Sequence, residues 1–243
     1  MADGRADDSN VGAALEPVWP YALIGDDGPM HEIAVRTLMT RRNQNEADWS
    51  FDPIQAARLG LSGQVKSSLL ALTTRYQLYP SGLAKFFGAE FYVEQIGVLT
   101  GALQDALVQD YDGLLRVAPA WPDDWSADAT IALHYGGKAR VLIRKGQLQA
   151  VALQAGARST LRLRSPWPNQ SVEIIDSSKP GKPVQVSSAS TIEIPVQPLA
   201  TYIVQRSADH GADHSGPALF EAASGAPATK PKVLGAAIGL TAK

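Results

Sequence analysis

Carboxylates are the chemical resource of this chain. Among its 243 residues there is no cysteine, which removes disulfides and thiolate metal sites. No phosphate loop, dinucleotide fingerprint or nucleophile elbow occurs. His31 and His134 have no ligating cluster beside them. His210 and His214 are spaced i, i+4, but they fall in a stretch without periodicity, which supplies no fixed geometry for a metal. Neither a metal nor a cofactor is expected. What remains is the acidic set Glu16, Asp26, Glu46, Asp48 and Glu94. Two carboxylates flanking a bond, one as acid and one as base, are what glycoside cleavage requires. Asp48 lies in a polar loop with Asn43, Asn45 and Trp49, and such loops often present a binding site. The same loop also reads as a solvated connection, with Ser50 or Asp52 capping the next helix.

Glu94 opens the stretch around which the chain is organised. From Phe91 to Gln109, Val93, Ile96, Thr100, Leu103 and Leu107 recur at three- and four-residue steps, which predicts a helix with that stripe buried. Glu94, Gly97, Gly101 and Val108 form an adjoining stripe. Each helical glycine costs about 1 kcal/mol relative to alanine. A neighbouring helix or a ligand approaching the backbone would offset that cost. Glu94 falls in the first turn, where the helix dipole favours a carboxylate. Spacing alone leaves two readings open, a plain helix-start residue and a catalytic carboxylate beside a sugar.

The other elements follow from period and punctuation. Residues 1–15 are weakly patterned, and Leu15 to Tyr21 reads as an extended, proline-stiffened loop. Gly28-Pro29 starts a helix carrying Ile33, Leu38 and Met39, with Arg41-Arg42 in its last turn. Pro53 to Leu59 forms a short helix closed by Gly60. Ser62 to Tyr76 is amphipathic, burying Val65, Leu69, Leu72 and Tyr76. After Tyr111-Asp112-Gly113 the period falls to two. Short alternating runs from Leu115 to Val204, including one through His134, are separated by turn signals such as Gly136-Gly137, Lys145-Gly146 and Pro180-Gly181. They predict an antiparallel β-sandwich. The expected organisation is therefore helices over 1–112, a β-domain over 113–206 and a disordered tail over 207–243. Trp121 and Trp167 are read as plugs between helices and sheet.

Composition narrows the class. A net charge of −2 with no basic cluster argues against a nucleic-acid partner, and no apolar run reaches the length of a membrane span. The amino end from Met1 to Asp8 is acidic and polar, unlike a secretory signal. Read literally, that keeps the polypeptide in the cytoplasm, whereas a longer parent would leave the periplasm or the exterior open.

Several segments together resemble glycoside hydrolase family 95. They are Trp49-Ser50 through Ala57-Arg58-Leu59-Gly60, Phe91 to Gln109, Asp112-Gly113 and Pro119-Ala120-Trp121-Pro122. The resemblance covers roughly residues 10–206 and is stronger in pattern than in identity. The family includes α-L-fucosidases and α-L-galactosidases, which hydrolyse with inversion. Its fold is a six-hairpin (α/α)₆ toroid followed by a C-terminal β-domain, and Ala118 to Pro122 resembles the entry into that domain. By counted position, Glu94 matches the aspartate of the family's Gln-Ile-Asp-Gly-Asn-Phe-Gly motif, its general base. Here the motif reads Tyr92-Val93-Glu94-Gln95-Ile96-Gly97-Val98, with a longer carboxylate stem and without the Gly-Asn that follows.

The resemblance implies an α+β chain, the last helical hairpins of a toroid followed by an antiparallel β-sandwich. It implies Glu94 as base, and around that residue Trp49, Asn43, Asn45 and Asp48 are the candidate sugar contacts. The family's general acid lies upstream of the matching region, so the lone chain is expected to be inactive. It is expected to self-associate or to need the missing catalytic segment, exposing part of Val35, Leu38, Leu69 and Leu72. A non-catalytic carbohydrate-binding or structural β-sandwich module is the alternative.

Overall fold

The computed structural model describes residues 13–79, 81–85 and 91–210. The chain is α+β and divides into two compact units. The helical unit contains residues 13–106 with Pro119–Pro122, and the β unit contains Leu107–Ala118 and residues 123–210. Among the described residues no helix is long and apolar enough to cross a membrane. The expected tail from 211 to 243, with His214, lies outside the described residues.

The helical unit begins with a short 3₁₀ turn, Ala13–Leu15. The segment after it is wound rather than extended, because the amides of Val18 and Trp19 both bond back to the Leu15 carbonyl. Helix α1 (His31–Thr40) buries Ala34 and Leu38 and stops one residue before Arg41, whose backbone turns extended. Helix α2 (Asp52–Arg58) is seven residues long, with proline in its first turn where a missing N–H costs nothing. Helix α3 (Ser62–Tyr76) buries Val65, Leu69, Leu72 and Tyr76, as its spacing predicts. Leu38, Leu69 and Leu72 are therefore fully covered rather than partly exposed, and only Val35 of that set is half-buried.

Helix α4 (Glu94–Leu107) corrects the expectation more sharply. It buries Gln95, Val98, Leu99, Ala102, Ala106 and, as its spacing predicts, Leu107, while Val93 before its first turn and Ile96 in it are 62% and 44% exposed. The sequence has apolar residues on every side of this helix, so periodicity fits two faces equally. Specific contacts choose between them. The Gln95 side chain donates to the Leu72 carbonyl at 3.1 Å, and Asp105 pairs with Arg58 at 2.6 Å. A Cβ on Gly101 would sit 3.3 Å from Ile54 of α2, whereas one on Gly97 would meet open space. One glycine thus serves helix packing, and the other leaves an exposed gap one turn from Glu94.

The helix ends at Leu107, and Val108 and Gln109 already belong to strand β1 (Val108–Tyr111). Asp112-Gly113, both with positive φ, turn the chain into β2 (Leu114–Val117), the two-residue hairpin such backbone angles favour. Eight further strands follow: β3 (Ala127–Ala132), β4 (Lys138–Arg144), β5 (Gln147–Gln154), β6 (Thr160–Arg164), β7 (Val172–Asp176), β8 (Gln185–Ser187), β9 (Thr191–Pro195) and β10 (Thr201–Arg206). They form a four-stranded sheet, β1-β2-β6-β9, and a six-stranded one, β3-β4-β5-β10-β7-β8. All pairings are antiparallel except β2 with β6, which is parallel through Leu115 and Leu163. That exception departs from the purely antiparallel expectation. It is allowed because β2 and β6 are far apart in sequence and need no tight turn.

Strands β4, β6 and β9 alternate buried and exposed residues, while β5, β7 and β10 bury Ala150–Leu153, Val172–Ile175 and Tyr202–Gln205 on both faces. Trp167 is buried within this unit and Trp121 is half-buried in the helical one. His134 is not in a strand. It begins the one-turn 3₁₀ segment His134–Gly136. Nor does order end at Ser207, since Ser207–Asp209 form a last 3₁₀ turn and His210 Nδ1 lies 2.8 Å from Glu173.

Candidate functional site

The site is built on the loop between α1 and α2. Its frame is one buried ion pair. Arg41 and Asp52, both with fully covered side chains, meet at 3.0 Å. The Asp52 carboxylate also accepts from the Asn45 amide at 2.6 Å and from the Ser50 hydroxyl at 2.8 Å. Arg41 in turn donates to the Asn43 carbonyl at 3.0 Å. Asn45 takes a positive φ of 55° to reach this arrangement, a conformation asparagine tolerates better than most residues. Asp52 is therefore no helix cap. It is the anchor that winds the loop, and α2 begins without a side-chain cap.

Asp48 stands on that frame in different circumstances. It is fully buried, and neither carboxylate oxygen makes a hydrogen bond. Burial pushes its pKa up to about 6, the nearby amides of Asp48 itself and Trp49 oppose this in part, and the charge of Glu94 raises it further. The Glu94 contribution brings the loop and the start of α4 to one place. The rings agree, with Trp49 and Tyr92 5.6 Å apart and tilted by 39°. Tyr76 closes the group from α3. Its buried hydroxyl, held neutral by a pKa pushed up to about 12 chiefly by burial, donates to the Asn45 carbonyl at 3.3 Å.

Of the residues expected from sequence, Asp48, Trp49 and Glu94 are brought together. Asn43 and Asn45 are half-buried, and their main-chain groups help hold the loop. Glu46 is spent on a surface pair with Arg75 at 3.1 Å, and Glu16 is exposed. Tyr92 and Tyr76 escaped the sequence reading. Tyr92 stands two residues before Glu94, a spacing without helical meaning there, and Tyr76 fits its own buried stripe.

The arrangement offers an exposed carboxylate at a helix start, a buried one able to change protonation near pH 6, an aromatic pair, and open space at Gly97. Among the described residues no cluster of His, Cys, Asp and Glu could hold a metal ion. No protein-family model matches the chain, and no curated protein matches its sequence.

Proposed function

We propose that the chain is the C-terminal part of an inverting glycoside hydrolase acting on α-L-fucosides or related glycosides, with Glu94 as general base. The observation that carries this reading is the convergence of Asp48 and Trp49 with Tyr92 and Glu94, segments far apart in sequence. An inverting base must face a water held against the sugar, about 6.5–9.5 Å from its acid. Glu94 is exposed, sits where the dipole favours negative charge, and has the gap at Gly97 beside it. Trp49 and Tyr92 supply ring faces for the apolar side of a sugar. Asp48 accepts from a sugar hydroxyl when ionised and donates to one when protonated.

The acid comes from upstream helices in this reading, and those helices, or a second copy of the chain, cover the exposed side of α4 at Val93 and Ile96. The lone chain should leave an aryl α-L-fucoside intact. In a version joined to its upstream helices, Glu94→Gln should slow hydrolysis by roughly 10²–10⁴, the usual worth of a positioned base. Its melting temperature should not move. An active joined enzyme whose rate survives Glu94→Gln would overturn the assignment.

A further inference from the structure

A second site lies wholly within the β unit and does not depend on the hydrolase reading. A cleft of about 400 Å³ opens beside Asp110, Tyr135, Arg158, Ser159, Thr160 and Arg162. That size falls in the usual range for small-ligand pockets, about 300–1,000 Å³.

Asp110 sets the geometry. Both its oxygens accept from one nitrogen of Arg158, Nη2, at 2.9 and 2.8 Å. Its Oδ2 also accepts from the His134 amide at 2.8 Å, which pins the turn carrying Tyr135. Arg158 then stacks on the Tyr135 ring, 5.0 Å from its centre. Using a single nitrogen for Asp110 leaves Nε and Nη1 of Arg158 without partners among the described residues. The Ser159 and Thr160 hydroxyls are likewise unpartnered there, and both residues are exposed. Tyr135 is 73% exposed despite its size. Arg162 has only a loose contact with exposed Glu193, at 3.7 Å, the sort of surface pair worth little.

The cleft thus presents donors in excess of acceptors and two arginines, of which Asp110 holds one at 2.8 Å and exposed Glu193 approaches the other only at 3.7 Å. Beside them stands an aromatic face held in place by a cation. We propose that it binds a hexuronate residue of an acidic glycan. Tyr135 packs against the C–H face of the pyranose, Ser159 and Thr160 bond its hydroxyls, and Arg162 with the free edge of Arg158 takes the carboxylate. Arginine suits that last role because its planar fork matches a carboxylate. A simple anion would have no use for the tyrosine face, and a neutral sugar none for the second arginine.

The test is titration of the full chain with an oligogalacturonate, a neutral gluco-oligosaccharide, acetate and inorganic phosphate, followed by calorimetry. Saturable binding of the oligogalacturonate, at least about tenfold tighter than the other three, is expected. Arg162→Gln, at an exposed position, and Tyr135→Asn, which tolerates the positive φ of 60° there, should each weaken it about tenfold or more with unchanged melting. Glu94→Gln should leave it untouched, which separates this site from the proposed hydrolase site. No binding, equal binding of the neutral sugar, phosphate binding as tightly as the uronate, or folded variants that bind like the parent would each overturn the proposal.

Discussion

Asp48 in the helical unit and Asp110 in the β unit are both carboxylates with little contact with water, yet the fold treats them oppositely. Asp110 is given a guanidinium and a backbone amide, so its charge is neutralised locally and it serves as scaffold. Asp48 has neither hydrogen bond nor cation among the described residues, and the charge of a second carboxylate, Glu94, acts on it. Withholding partners from a buried charge costs stability, and such costs concentrate where a group must react or change protonation. The contrast holds within the helical unit as well. Asp52, four residues from Asp48, has the Arg41 partner that Asp48 lacks.

The largest way to sharpen this contrast is Arg41→Met. It would leave the Asp52 charge buried and unpaired, and should cost about 3–5 kcal/mol in denaturant unfolding. A loss under 1 kcal/mol would mean that the Arg41 pair does not hold the loop, and that Asp52 is no better served than Asp48. Asp110→Ala should cost less, about 1.5–3 kcal/mol, by removing charged hydrogen bonds at a site only partly sealed from water. It should also free Arg158, visible as loss of its stacking against Tyr135 in side-chain NMR.

Asp48→Asn tests the unpartnered group through pH. The folded pKa of Asp48, about 6, lies above the ordinary aspartate value of 3.8, so the folded chain binds more protons than the unfolded chain between those values. Stability from this group is full below about pH 4 and is lost as pH rises through 6. A shift of that size corresponds to about 3 kcal/mol at most. Because solvent reaches the cluster at Glu94, about 1–2 kcal/mol is the expected fall. Asp48→Asn should flatten that part of the stability profile. An unchanged slope would show that burial does not disfavour the charge of Asp48.

The smallest effects are expected at the two glycines of α4, of which Gly97→Ala gives the larger. A Cβ there meets nothing within 4 Å, so the substitution should stabilise α4 by about 0.5–1 kcal/mol through helix propensity alone. In the joined enzyme it should nonetheless reduce turnover if the gap beside Glu94 admits substrate. Gly101→Ala should give almost nothing, since the new methyl group must displace Ile54 by a few tenths of an ångström.

The sequence determined where most helices and strands fall, because that information is local, though it missed the winding after Leu15, put His134 in a strand and carried the helix of Glu94 past Leu107. The run Val65, Leu69, Leu72, Tyr76 has one solution as a helix face, and Lys145-Gly146 has one as a turn between alternating runs. Glu94 could be placed in a first helical turn, and Asp48 and Trp49 in a polar loop, from the same signals. The buried face of α4 was not legible, because apolar residues surround that helix and only Gln95, Gly101 and Asp105 meeting α3 and α2 select a side. The parallel pairing of β2 with β6 was hidden for a related reason: alternation specifies which residues face inward, not which strand lies alongside. The convergence of Asp48 with Glu94, and the cleft around Asp110, Tyr135 and Arg158, depend on contacts between residues dozens of positions apart. Charge coupling and burial act through distance in space, which the order of residues does not contain, and so only the tertiary structure decided them.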